Sequence, residues 1–363
     1  MEAVHAVFSP DGRLVASAGI DRTARLWDLE RGVERPLPDS IYTCMTFANG
    51  VVFSANGELL ASVGDNTAHV WNVASGQARA FVASDTALRR VSLSGDGKRV
   101  AAVGSNGTVR WWDVASGAAM VRSGHKGEAT TVLFAPAGDV LVSGGIDGTV
   151  RLWNIARGEG VVLGKHATAI TFLAATPDGT EFASGGRDGT ILLWNAATGT
   201  SRTFSGHRGG ITDLSFSRDG RLLASASVDK TARVWDVASG RSQVLVGHDE
   251  AVRAVALSPD GGIVATGSND RTIRLWNLGL GEMTVLRGHT AAVRSVAFDA
   301  AGGRLVSAAE DATVRLWTLA RAQAVPEGHE RLIPWFETQT TATIGGDAFG
   351  DARSRSDGPT RFR

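Results

Sequence analysis

Eight tryptophans recur at a nearly fixed interval, and that interval limits the fold more than any other feature of the chain. Trp27, Trp71, Trp112, Trp153, Trp194, Trp235, Trp276 and Trp317 are separated once by 44 residues and then six times by 41. A period of this size signals stacked supersecondary units, each unable to bury its apolar face alone. Within one period, His207 to Asp236 reads as three short strands. The apolar-rich runs ITDLSF and LLASAS flank the turn Arg218-Asp219-Gly220, and TARVW follows a second turn at Val228-Asp229-Lys230. A further turn after most of the tryptophans, such as Val237-Ala238-Ser239-Gly240, leads to a fourth strand like SQVLV. Repeating strands without helices at this spacing predict a β-propeller.

Each unit carries a further set of residues in register with its Trp. Five units are complete: His125, Ser143, Asp147 and Trp153; His166, Ser184, Asp188 and Trp194; His207, Ser225, Asp229 and Trp235; His248, Thr266, Asp270 and Trp276; His289, Ser307, Asp311 and Trp317. The first three are eroded. Unit 1 has Ser17, Asp21 and Trp27; unit 2 has Cys44 at the His position with Ser62, Asp65 and Trp71; unit 3 has Ser84, Ala102 and Asn106 and keeps Trp112. In unit 1, Val7 and Phe8 are adjacent where Val255 and Leu257 alternate, so its first strand reads as one residue short and irregular.

These motifs resemble the Trp-Asp (WD) repeat β-propellers, over residues 3 to about 329. The resemblance implies an all-β, eight-bladed propeller of residues 1–330, each blade a four-stranded antiparallel sheet. It further implies that Asp accepts from His in the turn between second and third strands, while the Ser or Thr hydroxyl links His to the Trp indole N–H. Ser, His and Asp are also the parts of a nucleophilic triad. A catalytic set is needed once, however, and this one recurs at identical spacing, so the twenty residues are expected to fasten blades. Thr23, Thr67, Thr108, Thr149, Thr190, Thr231, Thr272 and Thr313 stand four residues before each Trp and suit a strand after a tight turn. Arg25, Arg110, Arg151, Arg233, Arg274 and Arg315 stand two before it, with the stem expected between blades and the guanidinium paired locally.

Charge and composition exclude several classes. Lys plus Arg equals Asp plus Glu at 37 each, so no net charge recruits nucleic acid or a membrane surface. Cys44 is the single cysteine and allows no internal disulfide. No apolar run approaches the roughly 20 residues needed to span a bilayer. The N-terminus MEAVHAVFSPDG already reads as strand and turn, which predicts a cytoplasmic protein without a signal peptide. An Ala-, Gly- and Arg-rich chain with only four lysines fits a GC-rich bacterial source. No Cys-x-x-Cys or His-x-x-x-His spacing and no phosphate loop opening a helix is present, so no metal or cofactor is expected. Residues 331–363 form a C-terminal extension, largely disordered after about 346 by composition. Unit 8 is expected to use VPEGH as its own outer strand, which leaves no closing exchange between the chain ends.

The functional expectation is a monomeric, non-catalytic scaffold that binds a protein or peptide on one end face. The resemblance places that face at the position four residues before the Phe or Leu ending each first strand. In order this is His5 (across the gap), Asn49, Arg89, Thr130, Thr171, Thr212, Arg253 and Arg294. In a closed ring Arg253, Arg294 and His5 lie side by side, with Arg89 two blades further, a grouping that suits an acidic or phosphorylated segment. Two rivals remain. A sensor module of an NTPase- or kinase-linked system is one. An enzyme with a central-channel site is the other; it requires unpaired acid, base or metal ligands on the inner strands, where the sequence shows none.

Overall fold

The computed structural model describes residues 3–19, 21, 23–37, 50–136, 138–319, 338–344 and 357–361, with residues 3–4 and the last two segments described by their backbone. Its strands form eight separate antiparallel sheets, each in simple meander order. The inner strands are Ala3–Phe8, Val51–Phe53, Leu88–Leu93, Ala129–Phe134, Ile170–Ala175, Ile211–Phe216, Val252–Leu257 and Val293–Phe298. They surround a central bore. Blade 6 continues outward through Leu222–Ser227, Thr231–Asp236 and Ser242–Val246.

Why each unit becomes a blade follows from its residues. The second strand is buried on both faces between neighbouring blades, so it is written in small and apolar residues, LLASAS in blade 6. The fourth strand is largely open to solvent, with Leu245 its one buried residue in blade 6. Between first and second strands the chain reverses on a Gly in the left-handed region, such as Gly220 at φ 71° and Gly261 at φ 71°. A side chain locks that turn: the Ser217 hydroxyl donates to Asp219 at 2.7 Å and accepts the Leu222 N–H at 2.9 Å. From blade 2 onward the repeat Trp is buried against the preceding blade, and Trp27 of blade 1 is partly buried. Trp235 stacks on Phe204 of blade 5 with centroids 5.4 Å apart, in one cluster with Ile191 and Leu193.

The inner strands share one irregularity. In seven blades their pairing with the second strand skips a residue: Val4, Arg89, Thr130, Thr171, Thr212, Arg253 or Arg294. Such a bulge re-aims the extra side chain. The expected shortness of the first strand is overturned here. Ala6 pairs with Ser17 as Val255 pairs with Thr266, and Phe8 with Val15 as Leu257 with Val264. The strand is complete, with Ala6 at the site of a larger apolar residue.

Blade 1 takes all four of its strands from the N-terminal end, Ala3–Phe8, Leu14–Gly19, Ala24–Asp28 and Val33–Arg35. The ring therefore closes by packing face on face. Ala6 and Val15 join Val306, Ala308 and Val314 of blade 8 in one buried cluster. The Ser295 hydroxyl bonds the N–H and C=O of Ala6, each at 3.3 Å, and Arg304 reaches the Gly12 carbonyl at 2.7 Å. The outer strand of blade 8 is Thr338–Ile344, paired along Val314–Leu319. That edge is thus taken by the C-terminal extension; VPEGH, like the boundary near residue 330, lies outside the described residues. A further strand, Asp357–Arg361, pairs with Glu282–Leu286 and gives blade 7 a fifth strand where composition predicts disorder.

Candidate functional site

Two sets of polar side chains compete for a functional role, one inside the blades and one around the bore. Within blade 6 the Trp235 indole N–H donates to the Ser225 hydroxyl at 2.9 Å, which meets His207 Nε2 at 2.8 Å, while His207 Nδ1 meets Asp229 at 2.9 Å. Blades 4, 7 and 8 repeat the relay, with Thr266 as the hydroxyl in blade 7. In blade 5, His166 Nδ1 instead meets the Thr190 hydroxyl at 3.1 Å, and Thr190 donates to Asp188 at 2.7 Å. One proton arrangement satisfies every atom: Trp N–H to hydroxyl, hydroxyl to Nε2, Nδ1–H to carboxylate, with a neutral imidazole. Burial agrees with this, pushing His125, His207, His248 and His289 below the ordinary imidazole value despite the carboxylate beside each. Burial alone would raise Asp229, but the Thr231 hydroxyl, the Arg208 N–H and His207 outweigh it and bring the carboxyl down to about 2.

These hydroxyls are sealed. Ser143, Ser184, Ser225 and Ser307 have no exposed surface, so no substrate reaches a nucleophile there. The Thr four residues before each Trp, for which the sequence suggested only strand propensity, belongs to the same network: Thr149 donates to Asp147 at 2.8 Å and lies 3.1 Å from His125 Nδ1. Its recurrence in all eight units was the available signal. The Gly that precedes the His in four of the five complete units (Lys165 stands there in the other) has a steric cause where the Arg two before Trp packs on it. A Cβ on Gly206 would meet Arg233 Nη1 at 2.7 Å, and Arg233 bonds the Gly206 carbonyl at 2.8 Å. Blade 3 replaces the relay by an Arg110–Asp85 ion pair, with Asn106 also bonded to Asp85. Cys44 lies outside the described residues.

Around the bore, the bulge residues make the tier proposed from sequence as a binding face. Thr130, Thr171 and Thr212 are occupied as ties to the next blade, donating to the carbonyls of Ile170 at 2.7 Å, Ile211 at 2.6 Å and Val252 at 2.7 Å. Arg89 is ion-paired with Glu128 of blade 4 at 2.6 Å, and Arg294 with Glu310. Arg253 has a neutral partner, Asn269 Oδ1 at 2.9 Å, and burial followed by the nearby Arg294 charge lowers its pKa. Arg253 and Arg294 are thus brought together. His5 is not in their tier: it pairs with Ala18 as Arg90 pairs with Val103, one step further along the strand, and the bulge residue of blade 1 is Val4. Asn49 lies outside the described residues.

A second tier brings an acid and a base onto the inner strands, Asp213 and His5, each hydrogen-bonded to a backbone N–H. His5, Arg90, Phe172 and Asp213 share it and line a cavity of about 1150 Å³ along the bore. Asp213 accepts the N–H of Val255 in blade 7 at 2.9 Å, and burial pushes its carboxyl up to about 7. Burial, then the Arg90 charge, drives His5 down to about 4. These residues occur once each, so a search for repeats passes over them. Among the described residues no group of three or more His, Cys, Asp or Glu is placed to hold a metal, and no helix is long and apolar enough to cross a membrane.

A ring of eight blades, four of them locked by a buried Trp–hydroxyl–His–Asp relay and a fifth by a relay routed through Thr190, defines a propeller of the WD-repeat class. The family model for the WD domain, G-beta repeat, matches residues 2–28, 40–72, 77–113, 119–154, 160–195, 199–236, 240–277 and 281–318, well over half of the chain, and the protein belongs to that family. A comparison with curated proteins found no match.

Proposed function

We propose that the protein is a non-catalytic interaction scaffold that binds an acidic or phosphorylated segment of a partner protein at the Arg253–Arg294 side of one end face. Propellers of this family generally bind proteins or peptides. The observation that carries the reading is the pair of bulge arginines on adjacent blades, of which Arg253 is hydrogen-bonded to the neutral Asn269 and shares the Glu310 charge with Arg294. Glu310 neutralises Arg294 in the free protein and would be displaced or shared when a phosphate or carboxylate docks. Arg89, already paired with Glu128 on another part of the ring, supports the site less. The fastening relays supply the rigid frame on which these side chains are presented. The test is a binding titration with a phosphopeptide library, comparing the native chain with the Arg253→Ala/Arg294→Ala double variant. Selected peptides should bind the variant at least about tenfold more weakly with little change in Tm. Equal affinity would move the binding face elsewhere.

A further inference from the structure

We propose that the bore of the ring is a binding site for a small organic anion, its carboxylate or phosphate oxygens held by Arg90 and its apolar body laid against Phe172. Arg90 comes from blade 3 and reaches past blade 4 to lie 4.2 Å from the Phe172 ring centroid in blade 5. Enclosed by the inner strands, its guanidinium has no hydrogen-bond or ion-pair partner among the described residues. It is attracted to Asp213, whose carboxylate is already engaged by the N–H groups of Val255 and Leu214, both at 2.9 Å. A half-buried guanidinium at the wall of the bore, with no hydrogen-bond acceptor among the described residues, suits an anion with free oxygens. Stacking on Phe172 fixes the guanidinium plane while leaving its N–H edge for a bidentate acceptor.

The charge of the lining agrees. Arg90, Arg187, Arg218, Arg253 and Arg294 face this cavity against two carboxylates, Asp213 and Asp299. Asp299 is held by Arg304 at 2.8 Å, which leaves Asp213 as the one opposing charge. The cavity, about 1150 Å³, is large enough for a metabolite-sized ligand. This site lies one tier inward of the proposed protein-binding face and does not depend on it.

Asp213 gives the site a pH signature. Its carboxyl, pushed up to about 7, is charged above neutrality and neutral below it. The groups facing it and the bore are Arg90 on blade 3, Arg253 and Arg294 on blades 7 and 8, Arg187 and Arg218 at the ends, Asp299 held by Arg304, and His5 on blade 1. Guanidinium groups do not deprotonate in proteins near neutral pH, and His5, held near 4, stays neutral. An anion should therefore bind more tightly as the pH falls through 7.

The experiment is calorimetric titration of the full chain with benzoate, phenyl phosphate and inorganic phosphate. Benzoate and phenyl phosphate should bind at one site, at least about tenfold more weakly in Arg90→Met. Phe172→Leu should weaken the two aromatic probes and spare inorganic phosphate, and Arg253→Ala/Arg294→Ala, which removes two lining charges but not the proposed ligand contact, should weaken all three less than Arg90→Met does. Should Arg90→Met fail to fold, benzoate affinity of the native chain still decides, since it should rise severalfold between about pH 8 and about pH 6. No binding by any probe at millimolar concentration, unchanged affinity in folded Arg90→Met, flat pH dependence, or binding lost only with Arg253 and Arg294 would each overturn the site.

Discussion

At the scale of single residues, the relay explains how a ring of many small blades tolerates buried ionisable groups. The neutral imidazole passes hydrogen bonds from indole to carboxylate without burying a net positive charge. Removing its middle member strands two groups: Ser225→Ala leaves the Trp235 indole N–H and His207 Nε2 without partners, at an expected cost of about 1–3 kcal/mol in denaturant unfolding. A cost near zero would mean that water replaces the hydroxyl. Acid should unfasten the relays in two stages. Because the folded imidazoles sit below their free value, unfolding takes up protons below about pH 6.5, so their contribution is full above that pH and declines beneath it. Asp147 and Asp229 are lowered to about 2, so their contribution is full above about pH 4 and is lost as the pH falls toward 2. The Asp213 carboxyl, raised to about 7, works the other way as the pH falls from 7, so the profile is measured in Asp213→Asn. There unfolding free energies should fall first gently and then steeply from neutral pH downward, and a flat profile between about pH 7 and about pH 5 would contradict a neutral, buried imidazole. The fastening residues were legible in the sequence because they repeat. Arg90, Phe172 and Asp213 were not, since each stands at a register position that its neighbours fill with Thr, Ala or Ser.

At the scale of the blade, the same relay should grade stability around the ring. Blades 4 to 8 carry complete sets, whereas blade 3 substitutes an exposed carboxylate, Asp85, for the buried His–Asp link. Ion pairs with one exposed member contribute little, typically below about 1 kcal/mol. Hydrogen exchange should therefore open Arg99–Gly104 and Thr108–Asp113 of blade 3 before Leu222–Ser227 and Thr231–Asp236 of blade 6, and equal protection would refute the gradient. Strand order and turns followed directly from the alternation of apolar runs with Asp-Gly signals. The bulge did not, because skipping one partner leaves no mark in composition. It shows only in the pairing register, and that register is what moves His5 from the arginine tier into the bore. The outer strand of blade 8 was missed for a related reason: β-pairing along an open edge selects backbone geometry, and the segment at 338–344 lacks the Asp-x-Thr turn and Trp that mark the other units.

At the scale of the whole molecule, closure depends on a seam that no strand among the described residues crosses. Blade 1 meets blade 8 through Ala6, Val15, Val306, Ala308 and Val314, helped by the Ser295 ties to Ala6 and by Arg304, which bonds Gly12 and lies 5.5 Å over the Phe8 ring. An open ring would expose both of these apolar faces together with the edges beside them, and association would cover them. The closed form should therefore behave as a single chain of 37.9 kDa in light scattering. Val306→Asp places an unpaired carboxylate in the seam, where Val306 has no exposed surface, and should convert the monomer into larger, concentration-dependent species. The paired change Ser295→Ala with Arg304→Ala removes polar ties while leaving the apolar cluster intact, so it should lower Tm with the mass unchanged. A native protein found only as dimers or larger species would show that blades 1 and 8 meet between chains instead, with the same contacts made across an intermolecular seam.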